Sequence, residues 1–243
     1  LEFRRVLFRS VLTSWCLNEI FALKTFAKTS EVVKIIIHTF ILLLISVTSY
    51  VLTPYDSPAL FLFAITLFFT LKYFEERKPQ QLIIISALIF ISTLNRETSS
   101  LNIAFLGALF LNKEILKKEK LQKFIRIIAL PVFTFLLAYI SVRIFMKTDE
   151  ATVSEGIYLV QNLTKPNNIL GILFFIIFIR WTQKISSSQQ NISKISAFLL
   201  LCSPYLLMIL MVGILWEIRL FIPIIFGIIL LSQMNFEEDT KMD

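Results

Sequence analysis

The sequence has little charge, glycine, proline, cysteine and histidine. Of its 243 residues, 17% are charged, and there are five glycines, seven prolines, two cysteines and one histidine. Soluble domains carry about 25% charged residues, so this composition excludes an ordinary soluble protein and a disordered chain. Cys16 and Cys202 lie near opposite ends of the chain in apolar surroundings, which excludes a disulfide framework and a CxxC metal site. His38 has no second histidine or cysteine nearby, so we expect a structural role for it.

Apolar residues dominate instead. Hydrophobic residues make up 56% of the chain and aromatic residues 14%, and the mean hydropathy is +0.77. Apolar runs bounded by polar clusters predict eight membrane segments. They are 33–52, 58–74, 82–94, 101–111, 127–146, 169–179, 195–215 and 218–231. Runs such as 82–85 are apolar at successive positions, whereas a membrane barrel needs alternation. The sequence therefore predicts an all-α, polytopic transmembrane helical bundle with some short or broken helices.

The ends of the chain are expected to lie outside this bundle. Residues 1–10 resemble the translated adaptor remnant of some gene fragments, and removing their three arginines and one glutamate lowers the net charge from +7 to about +5. Residues 11–32 then form a truncated membrane or interfacial segment, 33–231 the transmembrane domain and 232–243 a cytoplasmic tail. A signal peptide is rejected because no small-residue cleavage site follows the apolar run at 11–23.

Lysine and arginine alternate between connections rich and poor in them. The connections 24–34, 72–81, 112–126 and 180–194 carry 15 such residues, whereas 53–57, 95–100, 147–168 and 216–219 carry 4. Cytoplasmic loops retain the excess of positive charge, so the basic connections are assigned to the cytoplasm. The runs 82–94 and 101–111 correspond to about 20 Å and 17 Å of helix. One continuous helix would place two basic loops on opposite sides, so we predict a helical hairpin whose polar tip, residues 95–100, is buried in protein or faces water.

The remaining charges collect on the side opposite the lysines. Ionisable groups at membrane depth are costly and are functional candidates by default. The candidate catalytic residues are Asp56, Glu97 and Glu217, and the candidate substrate-binding residues are Tyr55, Asn95, Arg96, Arg143 and Arg219. Arginines would hold a phosphate by bidentate contacts, and a carboxylate would act as general base towards a sugar hydroxyl or hold a divalent metal ion. The sequence does not specify a cofactor.

Each group of charges also has a structural alternative. Asp56 would cap the helix that begins near Pro58. Arg96 and Glu97 are neighbours, about 100° apart on a helix, so they are expected to pair with groups on other helices and to fix the hairpin. Glu217 and Arg219 would be solvated charges beside an interfacial Trp216. In the connection 147–168, Asn162 begins a formal but weak glycosylation sequon.

Three short motifs carry a family resemblance. They are Thr-Pro-Tyr-Asp at 53–56, Asn-Arg-Glu-Thr at 95–98 and Trp-Glu-Ile-Arg-Leu-Phe-Ile-Pro at 216–223. With them, residues 50–231 resemble bacterial membrane glycosyltransferases of the GT-C-like kind. The resemblance implies an enzyme of envelope glycan assembly that uses polyprenyl-phosphate-linked sugars at the outer face of the cytoplasmic membrane. No residue here matches the usual catalytic acid of the first external loop, and by analogy Asp56 would serve as a second acid.

Two other functions stay open. The arginines would also suit a transporter or flippase for an anionic lipid or solute, with broken helices along its path. Transporters are expected to show a repeat and charges at mid-membrane, and neither is evident in the sequence. A structural subunit of an envelope complex is disfavoured only by the charge cluster. Nucleic-acid binding is excluded because the lysines are distributed among the inner connections and form no basic stripe.

Overall fold

The chain folds into α-helices. The computed structural model describes residues 2–48, 56–111, 118–145, 158–213, 215 and 220–236, and these ranges contain no strand. The helices are α1 (Glu2–Phe21), α2 (Glu31–Thr48), α3 (Asp56–Glu76), α4 (Pro79–Asn95), α5 (Ser100–Phe110), α6 (Lys118–Phe145), α7 (Leu159–Thr164), α8 (Pro166–Lys184), α9 (Gln189–Leu201), α10 (Ser203–Val212) and α11 (Ile222–Gln233). Short 3-10 turns lie at Lys24–Phe26 and Glu97–Ser99. The predicted all-α class is confirmed.

Proline marks the start of several helices. It occupies the first or second position of α4, α8, α10 and α11, where its missing N–H removes no helical hydrogen bond and its fixed φ suits the first turn. Ser188 precedes α9 and accepts a hydrogen bond from the Asn191 backbone N–H at 3.2 Å. The sequence thus places helix starts where proline and serine favour them.

The turn between α3 and α4 has an unusual backbone at Arg77. This residue has φ 56°, in the left-handed region that favours glycine. Its N–H bonds the Tyr73 carbonyl at 2.9 Å, and its guanidinium lies 5.0 Å and 4.3 Å from the ring centres of Phe74 and Phe110. These contacts offset the backbone cost and attach the turn to the end of α5.

The core is formed around α3, α5 and α11. Nearly all residues from Leu101 to Leu109 and from Ile222 to Ser232 are buried, so α5 and α11 are enclosed by other helices. Gly227 allows α11 to approach α9 closely, because a Cβ there would lie 2.6 Å from the Phe198 ring. Phe198 in turn meets Phe105 of α5 edge to face, with ring centres 5.7 Å apart.

Hydrogen bonds gather the basic connections at one end of the bundle, here called the basal end. The Thr25 N–H bonds Glu75 Oε1 at 2.7 Å, and the Asn235 N–H bonds the Thr25 carbonyl at 2.8 Å. Lys194, which the loop count placed in a basic connection, is instead a buried residue of α9. Its ammonium donates to the carbonyls of Leu109 and Leu111 at 2.6 Å and 3.1 Å and so caps the end of α5.

The opposite end, here called the tip end, carries the turn between α4 and α5. The two helices follow one another through this turn, and Ile85 and Ile89 of α4 share a buried apolar cluster with Leu106 of α5, as expected for the predicted hairpin. Arg143 at the end of α6 and Leu220 before α11 also lie at this end, through contacts described below. Successive helices therefore run between the two ends.

Each of the eight predicted apolar runs falls, where it is described, on helices: α2, α3, α4, α5, α6, α8, the pair α9 and α10, and α11. By length and composition, two described helices can cross a membrane, Pro58–Glu76 and Glu119–Phe145. The pair α9 and α10 makes a third candidate but bends by 48° at its break. Helices α4 and α11 are apolar but shorter. In the Glu119–Phe145 candidate only 17% of its most apolar stretch is buried, so most of that helix faces outward with apolar side chains.

Candidate functional site

The tip between α4 and α5 is an ordered polar turn. After α4 ends at Asn95, Arg96 adopts an extended conformation, and its N–H bonds the Ser92 carbonyl at 2.8 Å. The Thr93 hydroxyl donates to the Ile89 carbonyl at 2.6 Å, so it must accept from the Ser99 hydroxyl, 2.7 Å away. Both hydroxyls are buried and satisfy one another, which anchors the tip.

An ion pair joins the tip to α6. The Arg143 guanidinium donates to Glu97 Oε1 at 2.7 Å, and the two side chains are 46% and 45% exposed. The guanidinium also lies 5.3 Å from the centre of the Tyr139 ring, one turn earlier on α6. An ion pair this exposed contributes about 0–1 kcal/mol to stability, so it is accessible and easily exchanged. Arginine has five N–H donors, and one of those of Arg143 bonds Glu97. The others can donate to a second anion.

Arg96 extends the positive charge towards α10. Arg96 lies within electrostatic range of Tyr205 of α10, and the Tyr205 hydroxyl donates to the Leu220 carbonyl at 3.1 Å. Asn95 and Arg96 each make an interaction within the protein and are half-buried. The tip, the end of α6, α10 and the start of α11 therefore meet at one end of the bundle.

The structure brings together part of the predicted site. Glu97 and Arg143 are in contact, and Asn95 and Arg96 adjoin them on the tip. The expectation that Glu97 pairs with a group on another helix is confirmed. Asp56 is the first residue of α3, and its side chain lies outside the described residues. Tyr55, Glu217 and Arg219 also lie outside the described part of the chain, so their convergence with Glu97 stays a prediction.

The alternative role of the candidate carboxylates is to hold a divalent metal ion. Groups of three or more histidine, cysteine or acidic side chains that would hold a metal ion are absent from the part of the chain that the structure describes. Glu97 has a cation partner already, in Arg143. The described arrangement therefore favours a role for Glu97 with arginine as its counter-ion.

Asn102 and Asn162 are buried polar residues whose burial the sequence pattern did not predict. Asn102 is 1% exposed in the first turns of α5, and neither its side-chain oxygen nor its nitrogen has a hydrogen-bond partner among the described residues. Asn162, the sequon residue, is also 1% exposed, but its amide is fully used. It donates to the carbonyls of Leu210 and Gly213 at 2.9 Å and 2.7 Å, and it accepts from the Leu215 N–H at 3.3 Å.

The sequon is therefore a structural element. A buried amide with these partners cannot accept a glycan without unfolding the corner between α7 and α10. The burial of Asn102 could have been predicted from its position, because it is an amide residue within an otherwise apolar run. For Asn162, the second asparagine six residues later is the matching signal, because the Asn168 amide bonds Asn162 Oδ1 at 2.9 Å.

Comparison of the chain with models of known protein families, with curated proteins and with solved structures finds no match.

Proposed function

We propose that this protein is a polytopic protein of the bacterial cytoplasmic membrane with eight membrane segments, and that its tip end faces away from the cytoplasm. Support for the membrane comes from the outward apolar surface of α6 and from the two or three helices long enough to span. Support for the orientation comes from the lysine-rich connections, which adjoin the basal end. The lysine-poor tip then lies at the outer surface.

At this surface we propose a membrane glycosyltransferase that acts on polyprenyl-phosphate-linked sugars in envelope glycan assembly. The observation that carries the proposal is the half-exposed Glu97–Arg143 pair beside Arg96, because it offers a carboxylate and two guanidiniums at one end of an apolar bundle. Guanidiniums bind phosphate through paired hydrogen bonds. The surrounding membrane lipid accommodates the polyprenyl chain.

The chemistry assigns separate roles to the two charges. When Arg143 and Arg96 hold the phosphate of the donor lipid, Arg143 no longer needs Glu97 as its counter-ion. The freed Glu97 carboxylate accepts the proton of an acceptor hydroxyl, whose oxygen forms a bond to the anomeric carbon of the sugar. The bond between that carbon and the phosphate oxygen breaks, and the polyprenyl phosphate leaves with the electron pair. Asp56 and Glu217 are the other two candidate acids.

The test compares binding of a long-chain polyprenyl phosphate and the matching polyprenol to the purified protein in detergent. Arg143→Ala and Arg96→Ala are expected to weaken phosphate binding at least tenfold and to leave polyprenol binding unchanged, since each removes guanidinium contacts. Glu97→Gln should retain binding but abolish sugar transfer from the membrane-embedded donor. Arg126→Ala is the matched control, because Arg126 is exposed on the same helix near the opposite end.

Equal loss in Arg126→Ala, or equal affinity for the lipid with and without phosphate, would contradict the proposal. A transporter or flippase for an anionic lipid is the second candidate, and the 48° break between α9 and α10 favours it because broken helices line transport paths. In sealed vesicles, movement of the lipid phosphate across the bilayer without sugar transfer would select this candidate.

A further inference from the structure

A second polar feature lies at the tip end, at the corner between α7 and α8. It is a cleft of about 360 Å³, which falls within the range of small-molecule sites. Its walls and floor are formed by Tyr158, Gln161, Asn162, Lys165, Pro166, Asn167 and Asn168. None of these residues belongs to the hairpin tip, so the cleft is separate from the Glu97–Arg143 pair.

The floor of the cleft is rigid. Asn162 uses its amide to hold the end of α10, as described above, and Asn168 donates to Asn162 Oδ1 and to the Gln161 carbonyl at 2.9 Å and 3.3 Å. Both asparagines are buried. The Tyr158 N–H bonds the Met211 carbonyl at 2.8 Å, which fixes the aromatic residue at the rim to the same helix. A preformed cleft loses less entropy when it binds a ligand.

The walls offer hydrogen bonds to a ligand. Gln161, Lys165 and Asn167 are exposed, and amide groups donate and accept at the same site, as a sugar hydroxyl does. The Lys165 ammonium contacts Gln161 Oε1 at 3.2 Å and has three donors in all. Among the residues that the structure describes, the lining offers amides and one ammonium group. Tyr158 and Pro166 supply apolar surface for the carbon face of a ring.

Helix α10 relates the cleft to the tip. Asn162 binds the carbonyls of Leu210 and Gly213, which follow Tyr205 on this helix by about 8 to 12 Å along its axis. Tyr205 is within electrostatic range of Arg96. The cleft and the charged tip are thus at the same end of the bundle.

We infer that this cleft binds a sugar unit of a glycan, and that it holds the acceptor glycan beside the charged tip. Sugar binding follows from the amide-rich lining with its aromatic rim. The acceptor role rests on the proposed glycosyltransferase function. Lys165 extends the preference to sugars that carry a carboxylate.

The test measures binding of glucose, N-acetylglucosamine and glucuronic acid by saturation-transfer NMR, in an amine-oxide detergent because maltoside head groups would compete. The unmodified protein is expected to bind at least one of these sugars with a millimolar Kd. The double variant Gln161→Ala, Asn167→Ala should weaken binding at least tenfold, and Lys165→Gln should weaken glucuronic acid selectively. The control is Gln190→Ala, an exposed glutamine at the basal end.

The outcomes separate this inference from the proposed function. Absence of binding to all three sugars, or full binding by the double variant, overturns the sugar cleft. If the cleft fails but polyprenyl phosphate still binds through Arg143, the tip site stands alone. If sugars bind and Arg143→Ala leaves phosphate binding intact, the cleft stands and the proposed donor site fails. An unchanged unfolding midpoint in the double variant shows that its loss of binding is not a loss of fold.

Discussion

Asn102 and Asn162 are equally buried but differ in their hydrogen bonds. The Asn162 amide has partners on every side, whereas neither polar atom of the Asn102 side chain has one among the described residues. An unpaired buried amide costs about 1–3 kcal/mol, and a paired amide costs a similar amount when it is removed from its partners. The same substitution should therefore act in opposite directions at the two positions.

We expect Asn102→Leu to stabilise the protein by about 1 kcal/mol, because leucine has the same branching at Cγ and no polar group to desolvate. Thermal unfolding in detergent measures the change as a higher Tm. Asn162→Leu is the matched control, and it should lower the Tm because the carbonyls of Leu210 and Gly213 lose their donor. A lower Tm for Asn102→Leu would mean that the Asn102 amide has a bound partner, such as internal water.

For Glu97, the sequence predicted an ion pair with a group on another helix but did not identify Arg143 as that group. The two are 46 positions apart and meet only because the hairpin tip rests against the end of α6. Lys194 was counted with a basic loop, yet its ammonium caps α5. Charge counting identifies the side of a membrane, whereas a specific partner depends on tertiary contacts that the sequence does not display.

At the scale of elements, hydropathy and charge predicted the helices better than their breaks. The hairpin between α4 and α5 was predicted because the basic connections before α4 and after α5 are expected on the same side of the membrane. The break within the predicted run 195–215 was not predicted, although Ser203, Pro204 and Tyr205 interrupt the apolar sequence at that point. Its physical cause is local: Pro204 cannot donate to the carbonyl of the preceding turn, so the helix ends at Leu201 and restarts at Ser203.

The packing of α11 on α9 and α5 depends on Gly227. We expect Gly227→Ala to destabilise the protein by about 1–3 kcal/mol, because the new methyl would overlap the Phe198 ring, which is already packed edge to face on Phe105. Chemical unfolding followed by tryptophan fluorescence measures the loss. Gly171→Ala is the control, since among the described residues its Cβ would meet only the Leu215 carbonyl at 3.4 Å, and it should be neutral or mildly stabilising.

Restoring space should rescue the overpacked variant. Phe198→Leu in the Gly227→Ala background is expected to recover part of the lost stability, whereas Phe198→Leu alone should destabilise through the cavity it leaves. Additive losses in the double variant would contradict a direct clash between the two positions.

Across the whole molecule, the two ends carry different kinds of polar group. The basal end holds Lys194 and Arg77, with connections rich in lysine, and the tip end holds the Glu97–Arg143 pair and the amide cleft. Between them lie helices with apolar outer surfaces, such as α6. A bundle of this kind is stable in a bilayer only when the two ends contact water on opposite sides.

This arrangement makes a prediction about sidedness that single cysteines test in intact cells. In a background without Cys16 and Cys202, cysteines at Asp56 and Thr98 are expected to react with a membrane-impermeant maleimide from outside, and a cysteine at Lys118 only after permeabilisation. The parent chain, with both native thiols, is the control. Both are buried, and burial together with the neighbouring Glu19 raises the pKa of the Cys16 thiol to about 11, so little of it is the reactive thiolate near neutral pH.

Each unexpected labelling pattern of the three cysteines would contradict a different part of the predicted topology. Labelling of Lys118 alone from outside would place the charged tip in the cytoplasm, where soluble nucleotide sugars, not polyprenyl-linked ones, would be the available donors. Labelling of Thr98 and Lys118 from the same side would mean that α5 does not cross the bilayer, which would contradict eight segments. Labelling of Thr98 without Asp56 would separate the two acids and leave Glu97 as the acid of the tip, because only groups on one side of the membrane can act on one substrate.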